Sequence, residues 1–200
     1  MKAYTSNNIR NIAVLGHGGK GKTTLCEAML YIAGASDRLG RVADGNTVLD
    51  FDSEEKRRKS SVSSAIAALE WDNTKLNIID APGLFDFEGG AAEAVRAAEA
   101  VLIVTSAGSG VDVGTEKAFR AAEKKGAAKF FAVTKTDSDH RNFYKTFDAL
   151  KEVYGNKLCP TIIPYMEGNI TKCYVNLMTG MAFSYDENGK ATKVPVPEDS

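Results

Sequence analysis

Cysteine is scarce in this chain, and its placement excludes more than its number does. Cys26, Cys159 and Cys173 are odd in number, far apart and outside any C-x-x-C spacing, so neither a disulfide framework nor a zinc site is expected and the thiols read as reduced. Long apolar runs are missing as well. None approaches the roughly 18 residues of a membrane span, and the polar start from Met1 to Arg10 has no apolar h-region. A cytoplasmic location without a membrane partner is the expectation. Charge of one sign is lacking too: 25 Lys and Arg against 26 Asp and Glu leave a net charge of -1, without the basic excess of a polyanion binder. Direct nucleic-acid binding is therefore not expected of this chain alone. There is no internal repeat and no low-complexity tract. What is there, 44% hydrophobic and 26% charged residues in a chain of 200, suits one main α/β body with a sizeable core and room for an appendage.

The hydrophobic texture sets an order of elements. Ile12 to Gly16 is an aliphatic run ending in glycine, followed by Leu25, Met29 and Ile32 at helical spacing within Lys22 to Ala33. Residues 62–71 and 75–80 read as an antiparallel strand pair around Asp72, Asn73 and Thr74. A helix near Gly90 to Ala98, a buried strand Val101 to Thr105, a helix from Asp112 to Lys125 and a second buried strand Phe130 to Thr134 come next. Such alternation builds a mostly parallel sheet with helices on both faces, whose ligands sit beyond the carboxyl ends of the strands. Phe143, Phe147, Leu150 and Tyr154 then share one helical face and read as core. From Pro160 onward short runs with an Asn188-Gly189 turn signal suggest small antiparallel strands outside the main sheet.

Gly16-His17-Gly18-Gly19-Lys20-Gly21-Lys22-Thr23 matches G-x-x-x-x-G-K-[ST] between an expected strand and an expected helix, the context this phosphate-cradling loop needs. Glycines let successive backbone N–H groups converge on phosphates, and the helix that follows adds its positive dipole end. Lys22 would neutralise β and γ oxygens, and Thr23 would place a hydroxyl on Mg²⁺. Thr24 closes the candidate phosphate-binding set. After the second buried strand stands Thr134-Lys135-Thr136-Asp137, matching [NT]-K-x-D. Asp137 could accept from guanine N1–H and N2–H₂, a donor pair adenine lacks, while the Lys135 stem lies along the base; the same residues could also cap a helix. Asp80-Ala81-Pro82-Gly83 ends a strand, where Asp80 can hold a water on Mg²⁺ and the Gly83 N–H can meet a γ-phosphate. Between the first helix and the hairpin, Arg41 to Ser61 is a long polar stretch carrying the charge run Glu54 to Lys59. Little apolar burial offsets its ordering entropy, so it reads as a loop ordered only by γ-phosphate and Mg²⁺.

These stretches in this order, GHGGKGKTT, GRVADGNTVLDFDSEEKRRKSSVSSA, NIIDAPGLFDF and AVTKTD, resemble the G domain of translational GTPases, specifically elongation factor G and its relatives, over nearly the whole chain. The resemblance implies a P-loop G domain over residues 1–157 lacking its last strand and helix, then the start of an inserted β-rich subdomain over 158–200. It also implies that Ser61 takes the switch threonine position on Mg²⁺ and that Arg58 takes that of the switch arginine. The implied activity is hydrolysis of GTP to GDP with Mg²⁺, in a factor whose full-length form works on the ribosome. Two positions depart from the pattern. Leu84 stands where the family carries the histidine that positions the attacking water, and Gly19 stands where the phosphate loop usually has an aspartate, with Lys20 beside it as a source of positive charge. A GTP-binding switch with little or no hydrolysis is thus the alternative reading. A P-loop kinase is disfavoured by the TKTD sequence.

Overall fold

The computed structural model describes residues 2–136, 142–168, 170–186 and 189–197. Contacts divide the chain into two units, Met1–Ser106 with Val111–Thr134, and Ala107–Gly110 with Lys135–Ser200; the sequence expectation instead divides it after residue 157.

The first unit is built on five strands: β1 (Ile9–Leu15), β2 (Ala65–Trp71), β3 (Thr74–Asp80), β4 (Ala100–Ser106) and β5 (Ala128–Thr134). They lie in the order β2-β3-β1-β4-β5, with β2–β3 antiparallel and every other neighbour parallel. The aliphatic run at the end of β1 places it centrally, because a strand between two parallel neighbours is covered on both faces. Ala13 and Val14 are accordingly fully buried. Helix α1 (Lys22–Ile32) covers one face: Cys26 and Leu30 join Val14, Leu69, Ile78 and Val104 in one apolar cluster. Helices α3 (Glu88–Ala97) and α4 (Val113–Lys125) pack on each other and on β1, β4 and β5. The expected mostly parallel sheet with helices on both faces is what the structure holds. The β2–β3 turn is shorter than the sequence reading: Asp72 and Asn73 take φ of 44° and 57°, the two left-handed residues of a tight hairpin, and Thr74 already belongs to β3.

The stretch 41–61 differs from the expectation of a loop with little to bury. It contains a 3-10 turn at Val42–Asp44 and helix α2 (Ser53–Arg58), and it buries Leu49, Asp50, Glu55 and Ser61. Asp52 and Glu55 form a capping box, each side chain bonded to the other's end of the first turn. Its burial is largely polar, which a count of apolar residues does not register.

In the second unit, α5 (Phe143–Tyr154) starts at Asn142, whose side chain accepts from Tyr144 N at 2.8 Å. Leu150 is buried on the expected face, and the Phe143 and Phe147 rings stack with centroids 6.2 Å apart. A four-stranded antiparallel sheet follows, β6 (Ile162–Glu167), β7 (Ile170–Asn176), β8 (Met181–Tyr185) and β9 (Ala191–Val194), in sequential order. It matches the expectation of small strands outside the main sheet. Its core is Cys173, Val175 and Ala182. Asn188 of the turn signal lies outside the described residues.

Candidate functional site

The carboxyl ends of β1 and β3 hold the phosphate-loop sequence and Asp80-Ala81-Pro82-Gly83 side by side. Gly16 has a φ of 139°, and a side chain there would run into the Val104 carbonyl, so only glycine lets the chain leave β1 at this angle. Gly21, at φ 89°, is the left-handed N-cap from which Lys22 and Thr23 enter α1. Gly83 is packed as closely: Gly18 N donates to Gly83 O at 3.0 Å, and a Cβ on Gly83 would collide with the Lys22 ammonium. The two loops are therefore in backbone contact.

Lys22 is buried and its Nζ donates to His17 O at 3.2 Å. Burial pulls its pKa down, opposed by the carboxylate of Asp80 first among the acids. Thr23 Oγ1 donates to Asp80 Oδ2 at 2.6 Å and lies 3.2 Å from Ser61 Oγ, which donates to Asp50 Oδ1 at 2.7 Å. Three of the expected metal-binding residues thus stand together, joined by Asp50. Burial pushes the Asp80 carboxyl up to about 6, against the lowering pull of Thr23 and Lys22. Burial also raises Asp50, against its bond from Ser61. Asp80 Oδ1 and Asp50 Oδ2 are buried without a hydrogen-bond partner. Orphaned acceptors of this kind call for an explanation, and two carboxylates with two hydroxyls suit Mg²⁺, which takes hard oxygens, keeps waters and shares phosphate oxygens. The residues fit the ion.

Other expected residues sit as follows. His17 Nδ1 lies 3.1 Å from Gly18 O. Lys20 points its ammonium at Asp112 Oδ2, 3.1 Å away, so any phosphate contact of Lys20 falls to its backbone. Burial raises the Asp112 carboxyl, but bonds from Thr115 and Lys20 outweigh it and leave the group below its ordinary range. Thr24, on α1, is exposed. Arg58 ends α2 bonded to Glu54 at the surface, as does Arg57. Leu84 is 37% exposed and rests on the phosphate loop, its Cδ2 3.0 Å from where a Gly18 Cβ would stand. Thr134 Oγ1 is bonded to Lys20 O at 2.6 Å, Lys135 has a left-handed φ of 57°, and Asp137 lies outside the described residues.

Sequence reasoning missed three buried acids. Asp50 is one, and Glu27 and Glu55 are the others; Glu55 Oε1 accepts from Val62 N and Ser63 N at 3.0 and 3.2 Å. Two signals were available: Glu27 is one helical turn after Thr23, and Asp52-x-x-Glu55 is a capping-box pattern.

The family model for the elongation factor Tu GTP binding domain matches residues 7–196. The chain belongs to this family. As a GTP-binding domain of the elongation factor G-like kind, it is 33% identical over 192 residues to an elongation factor G-like protein of Mycobacterium tuberculosis, covering 96% of this chain and 26% of that one. It is 30% identical over 193 residues to elongation factor G of Mycoplasma genitalium, covering 96% and 28%. A crystal structure of a Thermus thermophilus protein aligns with a TM-score of 0.89 and 38% identity over 96% of this chain and 28% of its own. Bacterial selenocysteine-specific elongation factor aligns with a TM-score of 0.60 and 25% identity, over 74% and 24%. The GTP-binding domain here thus spans about a quarter of the length of these relatives.

Proposed function

We propose that this chain is the GTP-binding and GTP-hydrolysing module of a ribosome-associated elongation factor G-like translation factor. The observation that supports this most is the convergence of Lys22, Thr23, Ser61 and Asp80 at the ends of β1 and β3, with acceptor oxygens of Asp80 and Asp50 left over. In this reading the backbone N–H groups from Gly16 to Thr24 surround the phosphates, Lys22 meets β and γ oxygens, and the Gly83 N–H meets the γ-phosphate. Thr23 and Ser61 hold Mg²⁺ through their hydroxyls and Asp80 does so through a water; the ion supplies charge neutralisation at the β and γ oxygens. By the [NT]-K-x-D pattern, Lys135 and Asp137 would serve the guanine, while Thr134, bonded to Lys20 O, would brace the phosphate loop. Arg58 would leave its exposed pairing with Glu54 to serve as the switch arginine, at little cost because water screens such surface pairs.

A second reading, a GTP switch with slow hydrolysis, is favoured by Leu84. Its aliphatic side chain lies against Gly18 and can neither donate to an attacking water nor accept from it. Single-turnover hydrolysis of GTP and of ATP by the full-length protein, with and without ribosomes, separates the possibilities. The expected result is turnover of GTP alone, stimulated by ribosomes, and accelerated by Leu84→His on the order of 10² to 10⁴ if that position alone limits the rate. Equal turnover of ATP would sink the guanine assignment. No turnover with ribosomes present would leave the switch reading standing.

A further inference from the structure

Glu27 has no exposed surface, and it lies four residues after Thr23, a spacing that puts both on one face of α1. Its Oε1 accepts the backbone N–H of Val48 at 2.7 Å and of Leu49 at 3.0 Å. The strand of chain held in this way runs directly into Asp50, which accepts from Ser61, whose hydroxyl meets that of Thr23. The contacts therefore close a ring that starts and ends on one turn of α1. Gly40 completes the clamp from the other side: a Cβ there would collide with Glu27 Oε2 and would stand 2.8 Å from Thr47 Cα. Glu27 Oε2 has no hydrogen-bond partner. Burying a carboxylate whole is costly, and two charge-assisted backbone bonds offset part of that cost. An apolar residue would fill the same space but leave the Val48 and Leu49 N–H groups without their acceptor, so the acid is explained by the segment it holds.

We propose that Glu27 is a positioning residue for the Mg²⁺ site. It touches neither ion nor nucleotide, and acts by indexing Val48 and Leu49 to the helix that carries Thr23, which delivers the Asp50 carboxylate to Ser61, whose hydroxyl meets that of Thr23. The proposal rests on the reading of Thr23, Ser61 and Asp80 as the Mg²⁺ ligands. It adds that part of the segment 41–61 is tied to the phosphate-loop helix by the protein's own bonds.

The test is the Mg²⁺ concentration needed to slow release of a fluorescent GDP from the full chain, measured with the thermal midpoint for the unsubstituted protein, Glu27→Ala, Glu27→Gln and Gly40→Ala. Supporting residues behind metal ligands change metal affinity by roughly 10- to 100-fold when removed, and an increase of that order in the Mg²⁺ requirement is expected for Glu27→Ala and Gly40→Ala. GDP affinity in EDTA should stay as it was. Glu27→Gln keeps an acceptor oxygen in place and should retain most of the Mg²⁺ response. If Glu27→Ala does not fold, Gly40→Ala carries the comparison, since it keeps the acid in the sequence and shifts its carboxylate. Variants with a lowered midpoint and an unchanged Mg²⁺ requirement overturn the role assigned to Glu27. An unsubstituted protein without any Mg²⁺ dependence overturns the metal site itself.

Discussion

The two units bury polar groups very differently. Among the described residues, the first buries Lys22, Thr23, Glu27, Thr47, Asp50, Glu55, Ser61, Asp80, Thr105, Ser106 and Thr115, while the second buries Thr146. Thr146 is served locally: its hydroxyl accepts from Gly108 N at 2.9 Å and donates to Asn142 O at 3.4 Å. In the first unit Asp80, Asp50 and Glu27 each keep a buried oxygen without a partner. A buried polar group left unpaired costs about 1 to 3 kcal/mol. Thr146 thus follows the ordinary rule that burial and pairing go together, and Asp80, Asp50 and Glu27 depart from it, beside the nucleotide motifs of the first unit's sequence. At Asp80 and Asp50, unpaired burial marks where a ligand's atoms are expected to complete the set.

Three substitutions probe this contrast. The largest effect is expected from Lys22→Ala, which should remove on the order of 2 to 5 kcal/mol of GDP affinity, read by titration calorimetry. Unchanged affinity would mean that the polar burial of the first unit serves something other than phosphate. Asp80→Asn comes next and tests the expense of the orphaned carboxylate. Its pKa of about 6 lies above that of an unfolded aspartate, so the folded chain holds the proton more tightly, and stability falls as pH rises through that window. In EDTA the amide should therefore stabilise the chain by on the order of 1 to 3 kcal/mol near pH 7, with the gain fading towards pH 4, followed by denaturant unfolding. A gain that does not depend on pH contradicts a charged, buried Asp80. The smallest effect belongs to the second unit, where Ile163 packs on the Cys173, Val175 and Ala182 core. Ile163→Val should cost about 0.5 to 1.5 kcal/mol with no change in nucleotide or Mg²⁺ affinity.

The phosphate loop is legible in the sequence because its chemistry is a contiguous string: glycines that free the backbone, one lysine and one threonine. The parallel sheet is legible from aliphatic runs at even spacing, and the hairpin from Asp72-Asn73. Asp50, Glu27 and Glu55 are not, because their burial depends on how residues 41–64 close over α1. That closure is made by carboxylate-to-backbone bonds among residues up to 22 apart, and hydrophobic periodicity carries no trace of such bonds. The charge run from Glu54 to Lys59 reads as one solvated face. In the structure its second member turns inward as the capping-box acid, and only the rest meets water.

Thr134 opens the pattern [NT]-K-x-D, whose interest in the sequence is its reach towards a base. Its hydroxyl instead faces two carbonyls of the main chain, Lys20 O at 2.6 Å and Thr105 O at 3.1 Å. A hydroxyl has one hydrogen, so the two acceptors must share it, with the phosphate-loop carbonyl holding the shorter contact. An amide would bring two hydrogens to the same pair. The choice between asparagine and threonine at this position is then a choice between satisfying both carbonyls and alternating between them. The residue at position 134 sets how firmly the glycine-rich loop from Gly16 to Thr23 is pinned to the strand beside it.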